Sequence, residues 1–181
     1  MVYMFLANGF EEIEALCPLD LLRRAGVEVK TVAVGVEDLH VTGSHGITVV
    51  ADMDERDFTD AAPEMVILPG GMPGTTNLMA SSTVDTAIET ALKGDAWICA
   101  ICAAPMILGE KGLLRGKRAI CFPGFEEHLR GATVAAERVV RDGKVITAAG
   151  MGVALDFGLA LVAALHGKEA ALQLRRAVLA D

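Results

Sequence analysis

The sequence predicts a single α/β domain covering residues 1–181, with mostly parallel strands between helices on both faces. Three observations carry that expectation. Short β-rich runs alternate with helical stretches along the chain. The strand-like runs are short and apolar, as strands covered on both faces must be. Hydrophobic residues make up 52% of the 181, enough for one well-filled core.

The elements follow in order. VYMFLA (2–7) suits a buried strand. NGFEEIEALCPLDLLRRAG then places Ile13, Leu16, Leu19 and Leu22 at helical spacing and stops at Gly26, with Pro18 predicting a kink or a stepped start. VEVKTVAV (27–34) is a second strand, GSHGITVVAD an extended excursion, and EMVILPGG (64–71) a third strand ending in a Gly-rich turn. A helix spans roughly 75 to 93, AWICAI (96–101) is a fourth strand, AAPMILGEKGLL a short helix and KRAIC a fifth strand. VVRDGKVITAAG reads as a hairpin with a DG turn. Helices at about 153–165 and 168–179 complete the order, with no linker, repeat or low-complexity segment between elements.

Composition narrows the function classes. A formal charge of −8 disfavours a phosphate-tracking nucleic-acid surface, which needs clustered Lys and Arg. No apolar run approaches the roughly 18 residues needed to span a bilayer, and the N-terminal stretch lacks a basic region and a long apolar run. A soluble, cytoplasmic protein with neither nucleic-acid nor membrane partners is the expectation. Four cysteines, at 17, 99, 102 and 121, are expected as free thiols, because a core of this size needs no bridges.

In open parallel sheets, ligands bind beyond the carboxyl ends of the strands. That rule picks out ANGFEE, PGGMPG, CAAP and CFPGFEE. The CxxC in WICAICAAP fails as a disulfide: along a strand the two Cα atoms would stand about 10 Å apart, beyond the roughly 7 Å a bridge tolerates. It fails as a zinc site for want of a second close ligand pair. Cys99 is then a buried small hydrophobe, and Cys102 sits at a strand-to-helix turn before Ala103, Ala104 and Pro105, the pattern of a nucleophile elbow. A helix start there favours thiolate, bringing the pKa to between ~3.5 and ~7.5. Spacing alone leaves a functional Cys102 and an inert buried cysteine both open.

The other sheet-top segments add weight. PGGMPG offers unobstructed backbone N–H groups, half of an oxyanion hole or an ordinary turn. EEIE puts carboxylates in a helix's first turn, where dipole complementation alone is a sufficient reason. GMG at 150–152 is a poor dinucleotide signal, since Leu155 takes the third glycine position. His40, His128 and His166 read as solvated, and Cys17 and Cys121 as packing residues.

Taken together, LANGFEEIEA, DLLRRAGVEV, VILPGGMPGTTNL, AICAAP and DFGLALVAALHGKE resemble the ThiJ/PfpI superfamily, close to its parkinsonism-associated deglycase branch. The resemblance covers nearly the whole chain. It implies a flavodoxin-like three-layer sandwich and a homodimer. It casts Cys102 as nucleophile and Glu14 as its carboxylic partner, with the Gly71 and Ala103 amides as oxyanion donors. Gly70, Phe122, Arg24 and His45 fall around the implied substrate pocket, Arg24 and His45 as basic groups reaching it from the partner subunit. The superfamily's peptidases carry His after the nucleophile; Ala103 stands there and argues against proteolysis. Phe122 replaces a frequent pocket His, and AAGMG (148–152) replaces a polar residue followed by Gly-Pro-Gly-Thr, both leaving the pocket more apolar.

An ionised Glu14 about 4 Å from a thiolate would oppose it by roughly 4 kcal/mol at an effective dielectric near 20. Glu14 therefore helps only when protonated and donating to sulfur. The resemblance then implies a glyoxalase or deglycase, lyase or hydrolase in class, that takes a small carbonyl substrate such as methylglyoxal and needs no metal, glutathione or other cofactor. Two non-enzymatic readings stand beside it: a peroxide-responsive dimer that oxidises Cys102 in oxidative stress, and a holdase-like chaperone.

Overall fold

The computed structural model describes residues 1–59 and 62–180. Its strands are β1 (Val2–Ala7), β2 (Val29–Val34), β3 (His40–Thr42), β4 (Thr48–Val50), β5 (Met53–Asp54), β6 (Met65–Leu68), β7 (Trp97–Ile101), β8 (Arg118–Ala119), β9 (Thr133–Val134), β10 (Val139–Asp142) and β11 (Val145–Ala148). Its helices are α1 (Glu12–Arg24), α2 (Gly74–Met79), α3 (Ser82–Lys93), α4 (Pro105–Glu110), α5 (Ala154–His166) and α6 (Lys168–Ala177).

Seven strands form the central sheet in the order β10-β11-β7-β6-β1-β2-β5. All neighbours pair parallel except β10 with β11, the hairpin that the DG turn predicted. Alternation along each strand builds two cores at once. Val2, Met4 and Leu6 face one layer with Leu19 and Leu22 of α1 and Phe157 and Leu161 of α5. Tyr3, Phe5 and Ala7 face the other, with Val84 and Ile88 of α3 and Ile107 and Leu108 of α4. The result is the flavodoxin-like three-layer sandwich.

The chain leaves β1 toward β2 and β5 on one side and returns to β6 on the other. That reversal opens a crevice at the carboxyl ends of β1 and β6, where such sheets hold their ligands.

Some elements differ from expectation. KRAIC does not enter the central sheet, because both ladder edges of β11 are already taken by β7 and β10. Only Arg118–Ala119 pairs, with β9, and Ile120 reaches the sheet through its amide to Thr147 Oγ1 at 3.0 Å. The helix expected over 75–93 is two, α2 and α3, parted where the Ser81 hydroxyl accepts from the Val84 amide and starts a new helix. The extended excursion, residues 43–52, supplies the turn and second strand of the β3–β4 hairpin, whose first strand His40–Thr42 precedes it. Helix α1 continues through Pro18. No helix among the described residues is long and apolar enough to cross a membrane.

Candidate active site

Cys102 follows the last residue of β7 and holds φ at +63°. A side-chain-bearing residue adopts that left-handed conformation at a cost of about 1–2 kcal/mol. Its surroundings fix it there: its amide donates to the Ala148 carbonyl at 2.9 Å, and its carbonyl accepts from the Phe122 amide at 2.8 Å. Neighbours on both sides thus hold a sharp turn that lifts the thiol above the sheet. Pro105 then starts α4.

Glu14 comes from the first turn of α1. The Glu11 side chain caps that helix by accepting from the Glu14 amide at 2.7 Å. Glu14 itself is 1% exposed. The Gly70 amide donates to its Oε2 at 3.1 Å, the Met151 amide also points at the carboxyl, and Cys102 is its side-chain partner.

Gly70 and Gly71 let these parts meet. A Cβ at Gly70 would lie 2.5 Å from Glu14 Oε2 and 2.6 Å from Cys102 Cβ. Gly71 sits at φ +88°, and a Cβ there would lie 2.4 Å from the Glu11 amide nitrogen. The freed backbone turns the Gly71 and Ala103 amides toward the Cys102 sulfur.

Burial pushes the Glu14 carboxyl up to about 7; the Glu11 charge adds to the rise, while hydrogen bonds from Cys102 and the Gly70 and Met151 amides oppose it. Burial also pushes the Cys102 thiol up to about 12, assisted by the Glu14 charge and opposed by the Ala103 and Gly71 amides. The expectation that a helix start draws this thiol down is therefore overturned: α4 has only six residues, and burial beside a carboxylate outweighs it. The two groups titrate as one unit. Below about 7 that unit holds both protons; between about 7 and about 12 it holds one proton and one negative charge between carboxyl and sulfur.

Residues 1–164 match the DJ-1/PfpI family. The chain belongs to that family. It is 39% identical over 170 residues to protein DJ-1 homolog B of Arabidopsis thaliana, covering 93% of this chain and 39% of that protein. The chain thus spans about two fifths of the length of that relative. It is 30% identical over 161 residues to the Caenorhabditis elegans protein named glutathione-independent glyoxalase DJR-1.2, covering 88% of this chain and 84% of that one. A crystal structure of a DJ-1 superfamily protein from Salmonella typhimurium superposes with a TM-score of 0.92 at 34% identity, covering 98% of this chain and 96% of the other.

Within this DJ-1/PfpI chain the structure gathers Cys102, Glu14, Gly70, Gly71, Ala103 and Phe122 at one place. It does not bring Arg24 there. Arg24 ends α1, about 15 Å of helix from Glu14, and pairs with Asp20 at 2.6 Å. His45 lies by the start of α1, its side chain 70% exposed and its Nδ1 2.8 Å from Glu12 Oε2.

Glu12 was not singled out from the sequence, yet it too is buried. Burial alone would raise its carboxyl, but the His45 ring and the amides of His45 and Ile47 hold it at about 2. Glu11, Glu12 and His45 have metal-like spacing. The Glu12 oxygens are already filled by those donors, so the cluster is a clasp between α1 and the β3–β4 hairpin. The Met151 amide was also missed, since a backbone donor leaves no trace in residue type. His128, expected in solvent, pairs with Glu110 at 2.9 Å. All four cysteines are free. A cavity of about 440 Å3 lined by Asn8, Glu55, Asn77 and Ser81 contains none of the predicted site residues.

Proposed function

We propose that the chain is a cysteine-dependent, glutathione-independent glyoxalase acting on small 2-oxoaldehydes, with deglycation of their early adducts as the same chemistry on a larger substrate. What supports the reading most is Glu14: a buried carboxyl, lifted to about 7, whose partner is a thiol on a strained turn. The name of the Caenorhabditis elegans relative points the same way.

The proton shared by the pair moves onto Glu14 as Cys102 attacks the aldehyde carbon, and the Gly71 and Ala103 amides stabilise the charge passing from sulfur to oxygen. Glu14 protonates that oxygen, giving a hemithioacetal. As carboxylate it then removes the proton from the former aldehyde carbon, forming an enediol, and returns a proton to the adjacent carbon. A thioester of the hydroxy acid results, and water releases lactate from methylglyoxal. Carbon C1 is oxidised and C2 reduced, so no external redox partner or cofactor enters. A homodimer that brings Arg24 and His45 of one subunit toward the other's pocket belongs to the same proposal.

The test is lactate formation from methylglyoxal without glutathione, followed by proton NMR. Wild type produces lactate and Cys102→Ala does not. Absence of lactate from wild type would overturn the reading.

A further inference from the structure

The apolar rim beside Glu14 bears on which 2-oxoaldehyde the site takes, an inference that rests on the glyoxalase reading. The Phe122 amide donates to the carbonyl of Cys102 itself, so residue 122 is tied to the nucleophile's own backbone. Its ring lies across Gly150. A Cβ built on Gly150 would stand 3.2 Å from Phe122 Cδ2 and 3.8 Å from Glu14 Oε1. Because Gly150 has no side chain, that point is empty, and ring and carboxyl flank the same space.

Phe122 is 47% exposed and Met151 is 52% exposed. Single exposed apolar residues need no special reason. These two come from different segments, one after β8 and one after β11; the Phe122 amide binds the Cys102 carbonyl, and Met151 directly follows Gly150, which the Phe122 ring faces. A methyl group beside Glu14 would cover little of this rim. A flat aromatic substituent would stack on the ring or meet its edge, and the flexible thioether of Met151 would adapt to its outer side.

We infer that Phe122, with Met151 beside it, makes the site selective for 2-oxoaldehydes bearing an aryl substituent, with phenylglyoxal turned over in preference to methylglyoxal. Phenylglyoxal plus water gives mandelate by the steps above. The S–C bond forms and later breaks by hydrolysis, C1 is oxidised as C2 is reduced, and the thiol is regenerated.

The experiment compares kcat/KM for phenylglyoxal and methylglyoxal in wild type, Phe122→Ala and Phe122→Tyr. The expected wild-type ratio favours phenylglyoxal, falls about tenfold in Phe122→Ala, and is restored in Phe122→Tyr, which keeps the ring. Methylglyoxal turnover with a ratio that ignores Phe122 would overturn this inference and leave the glyoxalase reading standing. The same unchanged ratio with lost self-association in Phe122→Ala would reassign the ring to a subunit contact. Turnover of neither aldehyde by wild type would sink the glyoxalase reading and this inference with it.

Discussion

The Gly70 backbone amide donates to Oε2 of Glu14 at 3.1 Å, and this bond joins the end of β6 to the first turn of α1. It holds the carboxyl where a Cβ on residue 70 would have to be. The whole site is built from such approaches: short turns at the ends of parallel strands, each donating backbone to a neighbour.

Gly70→Ala tests that closeness. The added methyl would fall 2.5 Å from Glu14 Oε2, 2.6 Å from Cys102 Cβ and 2.9 Å from the Ile101 carbonyl. Two of these are backbone or its first side-chain atom and cannot swing aside. We expect a stability loss of about 1–3 kcal/mol by chemical denaturation, with loss of methylglyoxal turnover. A variant with wild-type stability and rate would show that the gap is not needed.

The shared proton sets the pH profile. The pair gives up its first proton near the Glu14 value of about 7 and its second near about 12. kcat/KM for methylglyoxal should rise through an apparent pKa near 7 and stay level well into the alkaline range. Alkylation of Cys102 by iodoacetamide should share that midpoint. A midpoint near 8.5–9, that of an ordinary thiol, would show that Glu14 is not coupled to it.

Glu14 also sets a stability difference. Its proton is held more tightly in the folded chain, at about 7, than at its ordinary value of 4.5. The folded chain keeps that extra proton between these values and loses stability as pH climbs through the window. Glu14→Gln, which does not ionise, should match wild type near pH 4 and exceed it at pH 8 by up to about 3 kcal/mol. Thermal unfolding at the two pH values reads this directly, and equal melting shifts at both would contradict it.

The sequence made some of this legible and hid the rest for physical reasons. Runs such as VYMFLA and WICAI are apolar at every position, which marks strands covered on both faces, and β1 and β7 lie where expected. The site segments were visible because each follows the carboxyl end of a strand. Arg118–Ala119 was misplaced because whether β11 has a free edge depends on tertiary pairing. The thiol's direction of shift was missed because helix length and burial, unlike residue order, decide it. Glu12 looked like one more charge serving a helix dipole, yet it is locked by amides 33 and 35 residues away. The meeting of Phe122 with Gly150 joins two loops whose approach has no local signal.

The central claim is that Cys102 and Glu14 act as one unit. The measurement that tests it most directly is kcat for methylglyoxal, without glutathione, in Cys102→Ala, Glu14→Gln and the double variant. The account predicts that each single change abolishes nearly all turnover and that the double loses no more than either. Glu14→Gln with most of the wild-type rate, alongside an inactive Cys102→Ala, would contradict it and reduce Glu14 to a packing residue.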